Sequence, residues 1–130
     1  MRYLITFLSI ALLSFSCTKP NHTPEGPTDI RIRNITDQDF SNVIVDTGGG
    51  NYNYGNIASG AETDYHRFDK AYPDAEITVM INGEEYSTGE QDYTYATYIG
   101  PDKATYEVYI SSPELKKLAV DIILDGPIDE

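Results

Sequence analysis

Residues 75–88 read Ala75-Glu76-Ile77-Thr78-Val79-Met80-Ile81-Asn82-Gly83-Glu84-Glu85-Tyr86-Ser87-Thr88, and this stretch decides the fold. Ile77, Val79 and Ile81 recur at every second position, the period of a strand with one buried face. Asn82-Gly83 follows at once. Asn-Gly between such runs is the strongest short-range hairpin signal, so Ala75–Ile81 and Glu84–Thr88 are predicted to pair.

The same period extends outward from this hairpin. Upstream, Ile30 and Ile32 alternate with Arg31 and Arg33, and Phe40–Asp46 puts Val43 and Val45 on one face. A turn-rich loop, Thr47–Asn53, precedes two shorter candidates, Tyr54–Ala58 and Glu62–Phe68, joined across Ser59-Gly60. Downstream, Ala104–Ser111 and Leu118–Leu124 complete the set. Ser112–Lys117 is the single helical candidate, one turn with Pro113 after a Ser cap. Short strands punctuated by Gly, Asn, Asp and Pro predict an all-β domain over residues 30–126. The expected form is an antiparallel β-sandwich of about seven strands, an immunoglobulin-like or transthyretin-like Greek key. Gly100-Pro101-Asp102-Lys103 followed by an early strand Tyr106 resembles the tyrosine corner of such sandwiches, in which the hydroxyl bonds main chain a few residues upstream.

The amino terminus reads as an address. Arg2 precedes an apolar run, Leu4–Leu13, about half the ~20 residues of a membrane-spanning helix. Small residues then lead to Cys17, the one cysteine of the chain. Leu13-Ser14-Phe15-Ser16-Cys17 resembles the lipobox of bacterial lipoproteins, although Leu13 falls one place early and Phe15 is bulky where a small residue is usual. The resemblance implies a signal peptide over residues 1–16, lipidation of Cys17, and a membrane partner through the lipid anchor. Several acyl chains at ~0.8 kcal/mol per buried CH₂ anchor a protein stably where one chain is marginal. Residues 17–29, rich in Pro and poor in apolar side chains, are then a flexible tether.

Charge excludes one class of partner. The 130 residues carry 9 Lys plus Arg against 21 Asp plus Glu, a formal net charge of −12. Nucleic acid requires clustered basic side chains that this chain lacks.

Arg33-Asn34 with Asp39-Phe40, Tyr54-Gly55, Ser59-Gly60 before Asp64-Tyr65, Ala71-Tyr72 and Asp92-Tyr93 follow one another in an order that resembles small single-domain Bacteroidota lipoproteins of unknown function. The resemblance spans residues 30–125 and implies class and location only: a cell-envelope protein, outer-membrane by its lipid. The acidic run that accompanies surface export in that phylum is missing from Thr18-Lys19-Pro20-Asn21, so periplasmic face and cell surface both stay open.

No catalytic system is legible. His66 is the single histidine of the domain and no GxSxG motif occurs, so no enzyme is expected. Asp64 and His66 fall on one strand face, a surface ion pair being favoured over a metal site. No cofactor is expected. Calcium is the one candidate, through oxygen-rich stretches such as Asp37-Gln38-Asp39 and Glu84-Glu85 with Glu90 and Asp92, but the EF-hand spacing is absent. A solvated acidic face accounts for the same residues.

Tyrosine is the informative excess: 11 Tyr and no Trp. Tyr52 and Tyr54 share a face beside Gly48-Gly49-Gly50. Tyr93 and Tyr95 share a face, and Tyr98 opposes them, if Gln91–Ile99 is extended. Such pairs beside loops serve as sugar- or peptide-binding platforms, or else as cross-strand packing. The expected role is non-enzymatic binding of a glycan, peptide or envelope protein. The alternatives are an accessory subunit docking by a strand edge and, last, a small hydrolase.

Overall fold

The computed structural model describes residues 26–94 and 96–129. The predicted signal peptide, Cys17, most of the tether, and Tyr95 lie outside the described residues.

Eight strands form: β1 (Thr28–Asn34), β2 (Phe40–Asp46), β3 (Asn51–Ile57), β4 (His66–Phe68), β5 (Glu76–Ile81), β6 (Glu84–Ser87), β7 (Asp102–Ser112) and β8 (Lys117–Pro127). All belong to one sheet in the order β3-β2-β5-β6-β8-β7-β1-β4, curled nearly into a barrel. The fold is all-β, as the periodicity predicts. The expected sandwich of about seven antiparallel strands gives way to this single eight-stranded sheet. β1 and β7 run parallel over six register pairs, Asp29↔Lys103 to Asn34↔Val108. Parallel neighbours need a crossover connection, and here nearly the whole domain lies between them in sequence.

β5 and β6 form the predicted hairpin, with Ile81 opposite Glu84. Asn82 and Gly83 take φ of +52° and +80°, the left-handed conformation that a tight hairpin requires. The helical candidate is instead a turn between β7 and β8. Lys116 sits at φ +54° and its N–H donates to the Pro113 carbonyl at 3.2 Å. β1 starts at Thr28, inside the predicted tether, because Thr28 is fully buried and its hydroxyl donates to the Gly100 carbonyl. The segments flanking Ser59-Gly60 do not pair with each other. β3 pairs with β2, and β4 pairs with β1 at the opposite end of the strand order.

The core lies inside the curl. Ile30 and Ile32 of β1, Val43 and Val45 of β2, Ile77 and Val79 of β5, and Tyr106 and Val108 of β7 are all fully buried. Burying each large side chain contributes roughly 1.5–3 kcal/mol. Asn34 is fully buried as well, and its amide satisfies itself. It donates to the carbonyls of Gln38 and Ile57 at 2.7 and 3.1 Å, and its oxygen accepts from the Thr36 N–H and hydroxyl. On the outer face, Arg33 reaches both Glu107 at 2.6 Å and Glu62 at 2.8 Å.

The curl fails to close in two places. β6 meets β8 through one register pair, Ser87↔Lys117. No ladder joins β3 to β4; aromatic side chains fill that seam.

Candidate functional site

The seam between β3 and β4 holds two of the predicted site residues. Tyr52 is opposite Val45 and His66 opposite Ile30, so both rings start from the inward face and lean into the gap between the two edges. They lie flat on one another, with centroids 3.6 Å apart and planes 11° apart. Tyr54 meets Tyr52 edge-on at 87°, and its hydroxyl donates to the Ile30 carbonyl at 2.7 Å. Phe68 meets His66 edge-on at 79° from the buried side. Burial pushes the Tyr54 hydroxyl well above the ordinary phenol range, with the neighbouring Tyr52 and Asp29 adding to it.

Tyr52 and Tyr54 therefore share a strand face, as predicted, but stand perpendicular and present no common plane. His66 engages Tyr52 rather than pairing with Asp64. The stack leaves Tyr52 39% exposed at the mouth of a recess of about 190 Å³, lined by Tyr52, Tyr54, Thr63, Asp64, Tyr65 and His66. Thr63 is committed to structure, accepting from the Ile32 N–H and donating to the Asp64 carbonyl. Tyr65 is held from several sides. Its hydroxyl donates to Asp125 at 2.9 Å, and Arg31 and Lys103 lie 4.8 and 5.5 Å from its ring centroid. The Asp64 carboxylate is exposed and, among the described residues, makes no ion pair or side-chain hydrogen bond.

The second predicted tyrosine group takes another form. Residues 91–99 are not an extended strand among the described residues. The Asp92 carboxylate accepts from the Thr94 N–H and hydroxyl, and the Ala96 N–H donates to the Tyr93 carbonyl, which closes a turn. Tyr93 and Tyr98 consequently converge on Tyr72 instead of opposing each other. Tyr93 stacks at 4.2 Å and 8°, Tyr98 at 4.6 Å and 30°, and Lys70 lies 5.0 Å from the Tyr98 ring. The Tyr93 hydroxyl is buried without a well-placed partner. Burial, then the charges of Asp46, Glu76 and Asp74, push it up to about 12, against a small opposing contribution from the Glu76 main chain.

Gly48 and Gly49 belong to this stack. A Cβ on Gly48 would sit 2.7 Å from the Tyr72 ring, and one on Gly49 would sit 2.4 Å from the Lys70 carbonyl oxygen. The glycines thus serve close packing under the tyrosines. Tyr106 is fully buried, and its hydroxyl donates to the Tyr72 carbonyl. Its acceptor lies 34 residues upstream in another loop. The expected tyrosine corner is therefore an anchor between two distant segments.

Sequence reasoning missed Tyr72, the centre of the second stack, and the stacking role of His66. Neither has a local signal, since each acquires its neighbours from segments far away in the chain. Among the described residues, no three His, Cys, Asp or Glu side chains are grouped to hold a metal ion.

No family model matches this chain, and no curated protein matches it. Among solved structures, an NMR structure of a protein from Eubacterium rectale is similar at 18% identity and a TM-score of 0.49, covering 84% of this chain and 99% of that one.

Proposed function

We propose that this chain is a lipid-anchored cell-envelope protein that binds without catalysis, taking a carbohydrate at the recess between β3 and β4. One observation carries the reading: Tyr52 is exposed yet immobilised, backed by His66 and buttressed by Tyr54. An aromatic ring held in place offers the apolar face of a sugar a surface at little conformational cost. The unengaged Asp64 carboxylate beside it is a charged acceptor for sugar hydroxyls, and such hydrogen bonds are the stronger kind. The volume of about 190 Å³ suits a single sugar ring or a chain end rather than a long polymer. Hydrolysis of a glycoside ordinarily uses two carboxylates across the bond, whereas this recess gathers one, Asp64. Placement in the envelope rests on the resemblance of Leu13-Ser14-Phe15-Ser16-Cys17 to a lipobox, with periplasmic face and cell surface both open.

Saturation-transfer NMR against a panel of monosaccharides and envelope-glycan fragments tests the reading. Wild type is expected to transfer saturation to ring protons of at least one sugar, and Tyr52→Ala to abolish that transfer while the remaining spectrum stays folded. Equal transfer to both proteins, or none to wild type, would reject the recess as the site. Protease shaving of intact cells decides which face of the membrane carries the domain.

A further inference from the structure

We infer that the free edge of β8 is a docking lane for an extended segment of a partner protein that sets apolar residues inward and a basic residue beside Asp121. β8 runs for eleven residues, Lys117–Pro127, and is laddered to β7 along nearly all of it. Its other edge is paired once, at Ser87↔Lys117. There the chain turns away. The Thr88 hydroxyl donates to the Ala75 carbonyl and accepts from the Ile77 N–H, and Gly89 takes φ +86°. Among the described residues the lane that β6 would have filled is therefore vacant from Leu118 onward, and an unpaired strand edge is a ready template for a further strand.

Two properties of the lane define its occupant. Its inward side is apolar: Val120 and Ile122 are half-buried, and Leu124 is 61% exposed. A recess of about 200 Å³ opens beside it, lined by Asp74, Ala75, Thr88, Gln91, Leu118 and Val120 among others. Residues directly opposite on adjacent strands share a face, so every second residue of a guest strand would lie against this apolar row, and one could enter the recess. The outward side carries Ala119, Asp121 and Ile123, and among the described residues its one charge, Asp121, is exposed and makes no ion pair or side-chain hydrogen bond. Asp74, at the recess on the inward side, is likewise exposed and unpaired. The guest residue beside Asp121 is therefore Lys or Arg. A second copy of this chain fits poorly, because two chains of net charge −12 would repel each other as their edges met and would offer no basic residue opposite Asp121.

The probe is a labelled ten-residue peptide alternating lysine with valine, titrated into the full-length chain in mild detergent, with a glutamate–valine peptide as comparison. The lysine peptide is expected to bind saturably and to slow hydrogen exchange of the 119–124 amides at least tenfold. Asp121→Lys is expected to weaken binding at least tenfold without moving the melting temperature. Unchanged exchange at 119–124, equal binding of the glutamate peptide, or full affinity in Asp121→Lys would each overturn the proposal. So would β8 amides already protected in a dimer of the chain without peptide, which would identify the occupant as a second copy. The exchange measurement on wild type stands even if the variant folds poorly.

Discussion

Tyr52 of β3 and His66 of β4 belong to strands at opposite ends of the sheet, yet their rings stack at 3.6 Å. Ladders join the other neighbouring strands apart from β6 and β8, which meet through one register pair, and here two aromatic rings close what no ladder closes. A sheet edge left open exposes unpaired N–H and C=O groups. The ring pair covers part of that edge, and the Tyr54 hydroxyl takes up the Ile30 carbonyl within it.

If the stack closes the seam, its two members are energetically coupled. Tyr52→Ala, His66→Ala and the double variant, compared by urea denaturation, should give a coupling energy of about 0.5–1.5 kcal/mol. Strictly additive losses would mean that each ring packs independently.

Tyr106→Phe should cost about 1 kcal/mol, because it removes the hydrogen bond that a fully buried side chain donates to the Tyr72 carbonyl. The denaturant midpoint should fall with an unchanged slope. An unmoved midpoint would show that the hydrogen bond contributes nothing net.

Gly49→Ala should destabilise by roughly 1–3 kcal/mol, the usual cost of overpacking. Its Cβ would collide with the main-chain oxygen of Lys70, which cannot swing aside as a side chain could. Since Lys70 leads directly to Tyr72, the near-ultraviolet circular dichroism of the tyrosines should change too. Native stability and spectrum in this variant would refute the close approach.

Alkaline pH should unfold the domain through its tyrosines. The Tyr93 hydroxyl is raised from an ordinary value of about 10 to about 12, and those of Tyr54 and Tyr106 are raised as well. A group that holds its proton more tightly when folded contributes stability that is complete below the unfolded pKa. That contribution is lost as pH rises through the folded pKa. Stability should therefore be flat with respect to Tyr93 below about pH 10 and fall as pH approaches about 12. Tyr93→Phe should flatten part of that slope. Denaturation midpoints across the alkaline range, followed together with tyrosinate absorbance, measure both.

Much of the local structure was legible. The Asn82-Gly83 hairpin, the inward Ile30 and Ile32, and the paired Val43 and Val45 all follow from a side-chain period of two and a turn that few sequences form. The shared face of Tyr52 and Tyr54 was legible for the same reason. Their perpendicular rings were not, because ring orientation depends on His66 and on the Ile30 carbonyl. The stack of Tyr93, Tyr72 and Tyr98 was hidden by reading residues 91–99 as extended, where an Asp92–Thr94 turn brings the rings together.

Sequence alone determined that the domain is all-β, which face of β1, β2 and β5 is apolar, and that the charge of the chain repels polyanions. These are properties of single segments or of composition, and they hold whatever lies beside them. Tertiary structure alone decided who lies beside whom: β1 parallel to β7, β3 and β4 at opposite ends but in aromatic contact, and β8 with a free edge. Alternation fixes the inward face of a strand but carries no information about its neighbour or that neighbour's direction. Those are chosen when all the apolar faces must be buried together in one core.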